Sequence, residues 1–321
     1  MQRKNIMPDI VIAALFPGQG SQALGMGRDF YNNSRAAKAI LDRAEVTLPG
    51  LLELMWQGPE DQLQRTANQQ PALVAAATAA FAAYREASGA TPAYAAGHSL
   101  GEFSAYVAAG SLGLSQALRL VRKRGQYMQE AVPEGQGAMA AVLKTDREHV
   151  ALVCQETEGV VEVANLNAPG QTVIAGEAAA VAAASARLKA EKARTIPLKV
   201  SAPFHCSLMA PAAKALAQDL AAISFTTPQF PVVANVSADI VADISQAPVL
   251  LTEQVTATVR WTESLQRLWD MGARVFIEFG SGSVLCALAK KTLDNPQVFA
   301  VQDMASLETT LQAINQLHTQ A

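Results

Sequence analysis

Short apolar runs alternate with longer amphipathic segments along most of this chain of 321 residues. Residues 70–87 and 115–129 repeat their apolar side chains at helical spacing. Runs short enough to be buried strands occur at residues 10–16, 93–96, 230–235 and 274–279. Buried strands that alternate with helices are typical of a largely parallel sheet. The pattern therefore predicts an α/β protein.

The order of elements changes in the middle of the chain. From about residue 135 to residue 201 the pattern predicts a strand, a helix, two strands, an alanine-rich helix and a last strand. That β-α-β-β-α-β order is the ferredoxin-like arrangement. We therefore predict a small ferredoxin-like domain at residues 135–203, inserted into a large domain made of residues 1–134 and 204–321. The active site is expected in the cleft between the two.

Composition and charge exclude several classes of protein. Half of the residues are hydrophobic, 17% are charged, and the net charge is −3, which leaves no positive surplus for nucleic acid. The alanine-rich segments are too short or too polar to cross a bilayer, and the apolar run after the basic amino terminus reads as the first strand, not a signal segment. Three widely spaced cysteines (Cys154, Cys206 and Cys286) fit a reducing compartment and neither a disulfide framework nor a zinc site. We expect a cytoplasmic protein without a nucleic-acid or membrane partner.

The candidate chemistry begins at the pentapeptide Gly97-His98-Ser99-Leu100-Gly101. This GxSxG pattern lies between a predicted strand and a predicted helix at residues 102–109, which is the context of a nucleophile elbow in hydrolase-like α/β proteins. Small residues allow the sharp turn, and the positive end of the helix faces the serine. The pattern predicts Ser99 as a nucleophile; the alternative is a tight turn with an idle serine.

A nucleophilic serine needs a base, and the sequence offers four histidines. His98 adjoins Ser99, so its side chain should point elsewhere and pack or shape the elbow. His149 lies in a charged helix start and His318 in a polar tail. His205 lies where the chain returns from the small domain to the large one, above the predicted cleft, and is the candidate base; the alternative is a hydrogen-bonded histidine in a turn. Because no acid stands out as a third member, a Ser-His dyad oriented by a backbone carbonyl is predicted.

Several short motifs together resemble the malonyl-CoA:acyl carrier protein transacylase family. They follow the family's order from residue 16 to about residue 290. The motifs are Phe16-Pro17-Gly18-Gln19-Gly20-Ser21-Gln22, Gln70-Pro71-Ala72, Gly97-His98-Ser99-Leu100-Gly101-Glu102, Arg124-Gly125 with Met128-Gln129, Pro203-Phe204-His205, Asn235-Val236 and Gln254.

The resemblance implies roles for the reacting groups. Ser99 would attack the thioester of malonyl-CoA, and His205 would act as base and then as acid for the departing thiol. The backbone N–H groups of Gln19 and Leu100 would bind the tetrahedral oxyanion, the second of which the elbow geometry also predicts. The backbone carbonyl of Gln254 would orient His205.

The resemblance also implies how the acyl group is held. A malonyl carboxylate needs a cation when it is buried, and a guanidinium can bind it with two parallel hydrogen bonds. The sequence alone leaves Arg119, Arg122 and Arg124 open, and the resemblance selects Arg124. Gln70 and Met128 would line the pocket. Phe204 resembles the malonyl-selecting form, in which a bulky ring fills the space of a 2-methyl branch.

The implied second substrate is the phosphopantetheine thiol of an acyl carrier protein or a polyketide synthase carrier domain. No bound cofactor or metal is expected, and the chain is expected to be a monomer. Five basic residues between 187 and 199 are candidates for docking an acidic carrier: Arg187, Lys189, Lys192, Arg194 and Lys199. Two other functions stay open, a thioester hydrolase that unloads carrier proteins and a non-catalytic docking module. The sequence does not separate fatty-acid from polyketide synthesis.

Overall fold

A computed structural model of the chain describes residues 10–320. The basic amino terminus, at residues 1–4, lies outside them. The strands of this described part are β1 (Ile12–Phe16), β2 (Tyr94–Gly97), β3 (Gly137–Leu143), β4 (Val161–Ala168), β5 (Gln171–Glu177), β6 (Arg194–Pro197), β7 (Val232–Val233), β8 (Val275–Phe279) and β9 (Gln297–Val301).

Helices precede, separate and cover these strands. They are α1 (Arg28–Asn33), α2 (Arg35–Thr47), α3 (Leu51–Gln57), α4 (Glu60–Gln64), α5 (Thr66–Ser88), α6 (Gly101–Ala108), α7 (Leu114–Glu130), α8 (Arg147–Glu156), α9 (Ala178–Ala190), α10 (Ala210–Leu220), α11 (Ala247–Glu253), α12 (Trp261–Asp270), α13 (Val284–Thr292) and α14 (Met304–Gln320).

Five strands form a parallel sheet in the order β7-β2-β1-β8-β9. Every residue of the central strands β1 and β8 is buried, as expected when helices cover both faces of a sheet. The predicted parallel sheet is confirmed, and all four of its predicted strands are present. The edge strand β9 was not assigned from the sequence; it is only partly buried, and its apolar run is four residues long, at residues 298–301.

Four strands form a separate antiparallel sheet in the order β4-β5-β3-β6. With α8 and α9 it follows the predicted β-α-β-β-α-β order, so the ferredoxin-like arrangement is confirmed. We call this sheet with its two helices the antiparallel unit. Aliphatic side chains fill its core, including Val142, Ile174 and Leu188. The domain limits at residues 134/135 and 203/204 stay a prediction.

The antiparallel unit is attached to the rest of the molecule along the free edge of β4. There Leu166 donates from its backbone N–H to the carbonyl of Val259, and Val259 donates to the carbonyl of Ala164, both at 2.9 Å. The hydroxyl of Thr258 adds a 2.6 Å bond to the carbonyl of Val163. This attachment holds the unit beside the carboxyl ends of the parallel strands, where ligands of such sheets bind.

Candidate active site

Ser99 lies on a sharp turn between β2 and α6. Its φ angle is 50°, in the left-handed region that side chains rarely adopt. The two flanking glycines are required by contact distance: a Cβ on Gly97 would lie 1.9 Å from the carbonyl carbon of Gly101, and one on Gly101 would lie 1.9 Å from the carbonyl oxygen of Phe16. The GxSxG spacing therefore lets the turn lie tightly against β1 while it directs Ser99 outward.

His205 is hydrogen-bonded to Ser99. Its Nε2 lies 2.8 Å from Ser99 Oγ, and its Nδ1 lies 2.8 Å from the backbone carbonyl oxygen of Gln254. A carbonyl can only accept, so Nδ1 carries the proton and Nε2 offers its lone pair to the serine hydroxyl. Burial, with a smaller contribution from the positive charge of Arg124, lowers the pKa of His205 to about 3. The imidazole is therefore neutral at pH 7 and able to accept a proton.

Arg124 is the one of the three candidate arginines that reaches Ser99. It is 1% exposed on α7, whereas Arg119 is exposed and Arg122 is partly exposed. Its Nη2 donates to Ser99 Oγ at 3.1 Å and to Gln254 Oε1 at 3.0 Å. Burial lowers the pKa of Arg124 to about 10, which leaves the guanidinium charged at neutral pH.

Gln70 and Met128 meet beside this guanidinium. Gln70 is buried on α5, accepts a 3.0 Å bond from Arg124 Nη1, and lies with its Nε2 3.8 Å from Met128 Sδ. Gly125 explains how α5 and α7 come so close, since a Cβ there would lie 2.6 Å from the carbonyl oxygen of Thr66. Arg124 thus supplies the charge, and Gly125 allows the close contact between α5 and α7 that places Arg124 beside Gln70.

Gln19 and Leu100 follow the carboxyl ends of the neighbouring strands β1 and β2. Among residues 10–320, the backbone N–H of neither residue is hydrogen-bonded to another protein group. The side chain of Gln19 is fixed by a 2.5 Å bond from its Nε2 to Gln69 Oε1. Gln19 lines a cleft of about 570 Å³ together with Phe204, which is 6% exposed, and with Lys199.

Two buried polar residues of the site were not given a role by the sequence motifs. Asn235 accepts the backbone N–H of Ser99 with Oδ1 at 2.7 Å and donates from Nδ2 to the carbonyl of Gly97 at 2.7 Å. Glu102, which is fully buried on α6, accepts from the backbone N–H of Asn235 at 3.0 Å and from Gln254 Nε2 at 2.7 Å. A charged residue inside the apolar sequence of α6 was the available signal for Glu102.

The other histidines lie in different surroundings. His98 Nε2 lies 2.8 Å from Asn167 Oδ1 at the end of β4, and its ring packs edge-on against Trp261 with the centroids 5.4 Å apart. His149 pairs with Glu191 on the surface of the antiparallel unit. His318 lies on α14. His98 therefore joins the elbow to the antiparallel unit, and His205 alone of the four contacts Ser99.

The five candidate docking residues do not all face the cleft. Arg187 is held by ion pairs with Glu156 at 2.7 Å and Glu191 at 3.3 Å, away from the cleft lining. Arg194 is exposed on the edge strand β6. Lys199 lines the cleft itself. Of this basic segment, the structure brings Lys199 nearest to the site.

Neither a metal cluster nor a membrane-spanning helix occurs in the described part of the chain. No group of three or more histidine, cysteine, aspartate or glutamate side chains within residues 10–320 could hold a metal ion. In the same part of the chain, no helix combines the length and the apolar character needed to cross a bilayer.

Comparison with known proteins gives consistent matches over nearly the whole chain. The acyl transferase domain family matches residues 14–318. The chain is 44% identical over 310 residues to a malonyl CoA-acyl carrier protein transacylase of Bacillus subtilis, which covers 95% of this chain and 98% of the relative. Its identity to the Escherichia coli protein of that name is 41% over 304 residues, or 94% and 98% of the two chains.

Solved structures agree with these relatives. A malonyl CoA-acyl carrier protein transacylase from Clostridium perfringens matches with a TM-score of 0.93 and 36% identity, over 96% of this chain and 98% of that one. A malonyl transacylase in complex with its type II polyketide synthase acyl carrier protein matches with a TM-score of 0.91 and 43% identity, over 94% and 99% of the chains.

Proposed function

Since the chain belongs to the malonyl-CoA:acyl carrier protein transacylase family of acyltransferases, we propose that it transfers a malonyl group from malonyl-CoA to the phosphopantetheine thiol of an acyl carrier protein. The transfer proceeds in two half-reactions through a malonyl ester of Ser99. The protein supplies all the catalytic groups, and no bound cofactor is needed.

In the first half-reaction Ser99 Oγ attacks the thioester carbonyl carbon while its proton passes to His205 Nε2. The 2.8 Å distance between these atoms supports a direct transfer. The carbonyl oxygen becomes an oxyanion, which the backbone N–H groups of Gln19 and Leu100 stabilise. The C–S bond then breaks, the sulfur leaves with the proton from His205, and the malonyl ester remains on Ser99.

In the second half-reaction the phosphopantetheine thiol replaces the departed coenzyme A. His205 accepts the thiol proton, and the thiolate attacks the ester carbonyl through the same oxyanion site. Collapse of the intermediate returns the proton to Ser99 Oγ and releases malonyl-carrier protein. The carbonyl of Gln254, 2.8 Å from His205 Nδ1, keeps the imidazole in the required tautomer throughout.

The observation that supports a malonyl rather than a neutral acyl group is the state of Arg124. Its guanidinium is buried and charged, and no carboxylate oxygen of residues 10–320 lies within 4.0 Å of its nitrogen atoms. A buried charge without a contacting counter-charge is costly. A malonyl carboxylate supplies that counter-charge beside Ser99, and Phe204 limits the room for branched acyl groups.

The carrier protein is proposed to approach the mouth of the cleft. Lys199 lies there, and Leu198 and Val200 beside it are exposed apolar side chains that also line the cleft. A positive charge between apolar contacts suits an acidic helical partner that must also guide a phosphopantetheine arm inward. The pathway, fatty-acid or polyketide synthesis, follows from which carrier accepts the group.

The test is the intact mass of the purified protein after incubation with malonyl-CoA. We expect a malonyl adduct on the wild type and on the control Ser104→Ala, whose serine is buried on the helix that follows the elbow, and none on Ser99→Ala. Adding a carrier protein should move the adduct mass to the carrier. Rapid release of free malonate would instead support a thioester hydrolase, and absence of any adduct on the wild type would support a docking module.

A further inference from the structure

We propose that Glu102 is a positioning residue for this transfer, because one of its carboxyl oxygens holds both residues that orient Ser99, His205 and Arg124. The inference rests on the proposed function and adds a residue to it. Glu102 is fully buried and is not hydrogen-bonded to Ser99 Oγ, His205 or Arg124. Its action is therefore indirect, through Gln254 and Asn235.

The first connection runs through the side-chain amide of Gln254. Its Nε2 donates to Glu102 Oε2 at 2.7 Å, and its Oε1 accepts from Arg124 Nη2 at 3.0 Å. A reversed amide would set N–H groups against the guanidinium and leave the Glu102 oxygen facing another acceptor. Glu102 thus fixes, together with the backbone carbonyl of Ser99 that accepts from the same Nε2 at 3.0 Å, the orientation in which Gln254 binds Arg124. The backbone carbonyl of the same residue receives His205 Nδ1.

The second connection runs through Asn235. Its backbone N–H donates to the same Oε2 atom at 3.0 Å, while its side chain receives the backbone N–H of Ser99 and donates to the carbonyl of Gly97. These two bonds hold both ends of the strained turn at Ser99, whose φ is 50°. Without the Glu102 oxygen, the buried backbone N–H of Asn235 would lose its acceptor, and Gln254 Nε2 would keep only the backbone carbonyl of Ser99 at 3.0 Å and Asn235 Oδ1 at 3.4 Å.

Only one carboxyl oxygen of Glu102, Oε2, accepts the hydrogen bonds from Asn235 and Gln254. Oε1 is buried and without a hydrogen-bond partner among the described residues. Burial raises the pKa of Glu102 to about 7, against the opposing effects of its two donors and of Arg124. Because a proton can reside on Oε1 while Oε2 still accepts both bonds, the charged and the neutral carboxyl should position the site equally well.

Three variants test the proposal. Glu102→Leu removes the acceptor, and Glu102→Gln keeps one oxygen that can face the two donors. Glu278→Leu is the control, because Glu278 is an equally buried carboxyl that accepts from the backbone N–H of Cys286 at 2.9 Å and contacts none of the site residues. Rates are expressed per active site, counted from the malonyl adduct at saturation, so that a lower folded fraction does not count as slower chemistry.

For Glu102→Leu we expect kcat for loading to fall about 100-fold with both malonyl-CoA and acetyl-CoA, as for a displacement of reacting groups by about 1 Å. Glu102→Gln should recover to within about threefold of wild type at pH 6 and at pH 8.5 alike. Glu278→Leu should stay within about twofold per active site. If Glu102→Leu does not fold, Glu102→Asp replaces it, because the shorter side chain withdraws the oxygen, and at least a tenfold fall is expected.

Two results would overturn the proposal. A Glu102→Leu or Glu102→Asp variant with wild-type rates per site shows that the carboxyl does not position the site. A Glu102→Gln variant that matches wild type at pH 6 but falls behind at pH 8.5, or that is as slow as Glu102→Leu, shows that the charge and not the acceptor is needed. Loss of the adduct in Ser99→Ala tests the proposed function separately, so a normal Glu102 variant rejects this inference alone.

Discussion

The carboxyl edge of the parallel sheet and the core of the antiparallel unit bury different kinds of side chain. At the sheet edge, Gln70, Glu102, Arg124, Asn235 and Gln254 are all at most 1% exposed and hydrogen-bonded to one another or to Ser99. The core of the antiparallel unit is formed by aliphatic side chains and one cysteine. A network of buried hydrogen bonds favours one defined geometry, whereas aliphatic cores tolerate repacking. The hydrogen-bonded sheet edge therefore holds the candidate site in one geometry, and the antiparallel unit contributes to the shape of the cleft.

The largest effect is expected for His205→Ala, since His205 is the proposed base, hydrogen-bonded to Ser99 Oγ at the sheet edge. Removal of a positioned base commonly lowers a rate by about 10² to 10⁴. The measurement is the rate of malonyl adduct formation at pH 7.5 in a single turnover. His149→Ala, on the surface of the antiparallel unit, is the matched control and should keep the wild-type rate. A fall of less than tenfold for His205→Ala would remove this histidine as the base.

Arg124→Ala should have the next largest effect, and it separates carboxylate binding from the chemistry at the thioester. Breaking a buried charged pair costs on the order of 3 to 5 kcal/mol, so malonyl loading should fall by roughly several hundredfold or more. Acetyl carries no charge and should lose much less. The measured quantity is the ratio of kcat/KM for malonyl-CoA to that for acetyl-CoA. Arg122→Ala on the same helix is the control, and equal losses for both substrates would make Arg124 a purely structural residue.

Asn167→Leu tests how strongly the antiparallel unit affects the elbow. Asn167 bonds His98, the neighbour of Ser99, at 2.8 Å. Loss of one such hydrogen bond is worth about 0.5 to 1.5 kcal/mol, so loading should slow by roughly two- to tenfold. The same single-turnover assay measures it. A loss of 100-fold would show that the antiparallel unit positions Ser99 as firmly as the buried polar network does, and the distinction between the two regions would fail.

The smallest change is expected on acidification. Burial holds the pKa of His205 near 3, so the base of the folded protein stays neutral as the pH falls from 7.5 to 5.5. The value of kcat/KM for malonyl-CoA should therefore change by less than about twofold over this range. A histidine with an ordinary pKa of about 6.5 would leave only about a tenth of the molecules active at pH 5.5. A tenfold fall in kcat/KM would show that His205 is more accessible to water than its burial in this structure indicates.

Acidification should nevertheless weaken the contribution of His205 to the stability of the fold, while Glu102, whose pKa burial raises from 4.5 to about 7, contributes in the opposite sense between these two values. The unfolded chain takes up a proton on His205 below about pH 6.5, where the folded chain does not. The unfolded state then binds more protons, so the contribution of His205 to stability declines as the pH falls from about 6.5 toward 3.

Local patterns were sufficient for most of the elements and for the choice of Ser99 as candidate nucleophile. Ser99 follows from the strand, the turn and the helix around it, and the parallel strands follow from short apolar runs. The antiparallel unit follows from the order of its elements. These features depend on neighbours within a few residues, which a single sequence displays directly.

The buried residues that hold Ser99 and His205 in place could not be predicted from local patterns. Glu102 contacts Asn235 and Gln254, which lie 133 and 152 residues away in the sequence. Only the folded chain shows that one carboxyl oxygen receives both donors. The edge strand β9 was also missed: its apolar run of four residues is short, and the parallel pairing with β8 is visible only in the folded chain.

The hydrogen bonds of the site join distant parts of the chain, and this affects how the protein acquires activity during folding. Ser99 and His205 are 106 residues apart, with the whole antiparallel unit between them, and Ser99 and Gln254 are 155 residues apart. Contacts of such high sequence separation close long loops and form late. A chain that ends before residue 205 can contain the whole antiparallel sheet and still lack His205, whereas the parallel sheet is complete only once β8 and β9 are present. A malonyl ester on Ser99 would therefore report only those chains in which the segments of Ser99, His205 and Gln254 have come together.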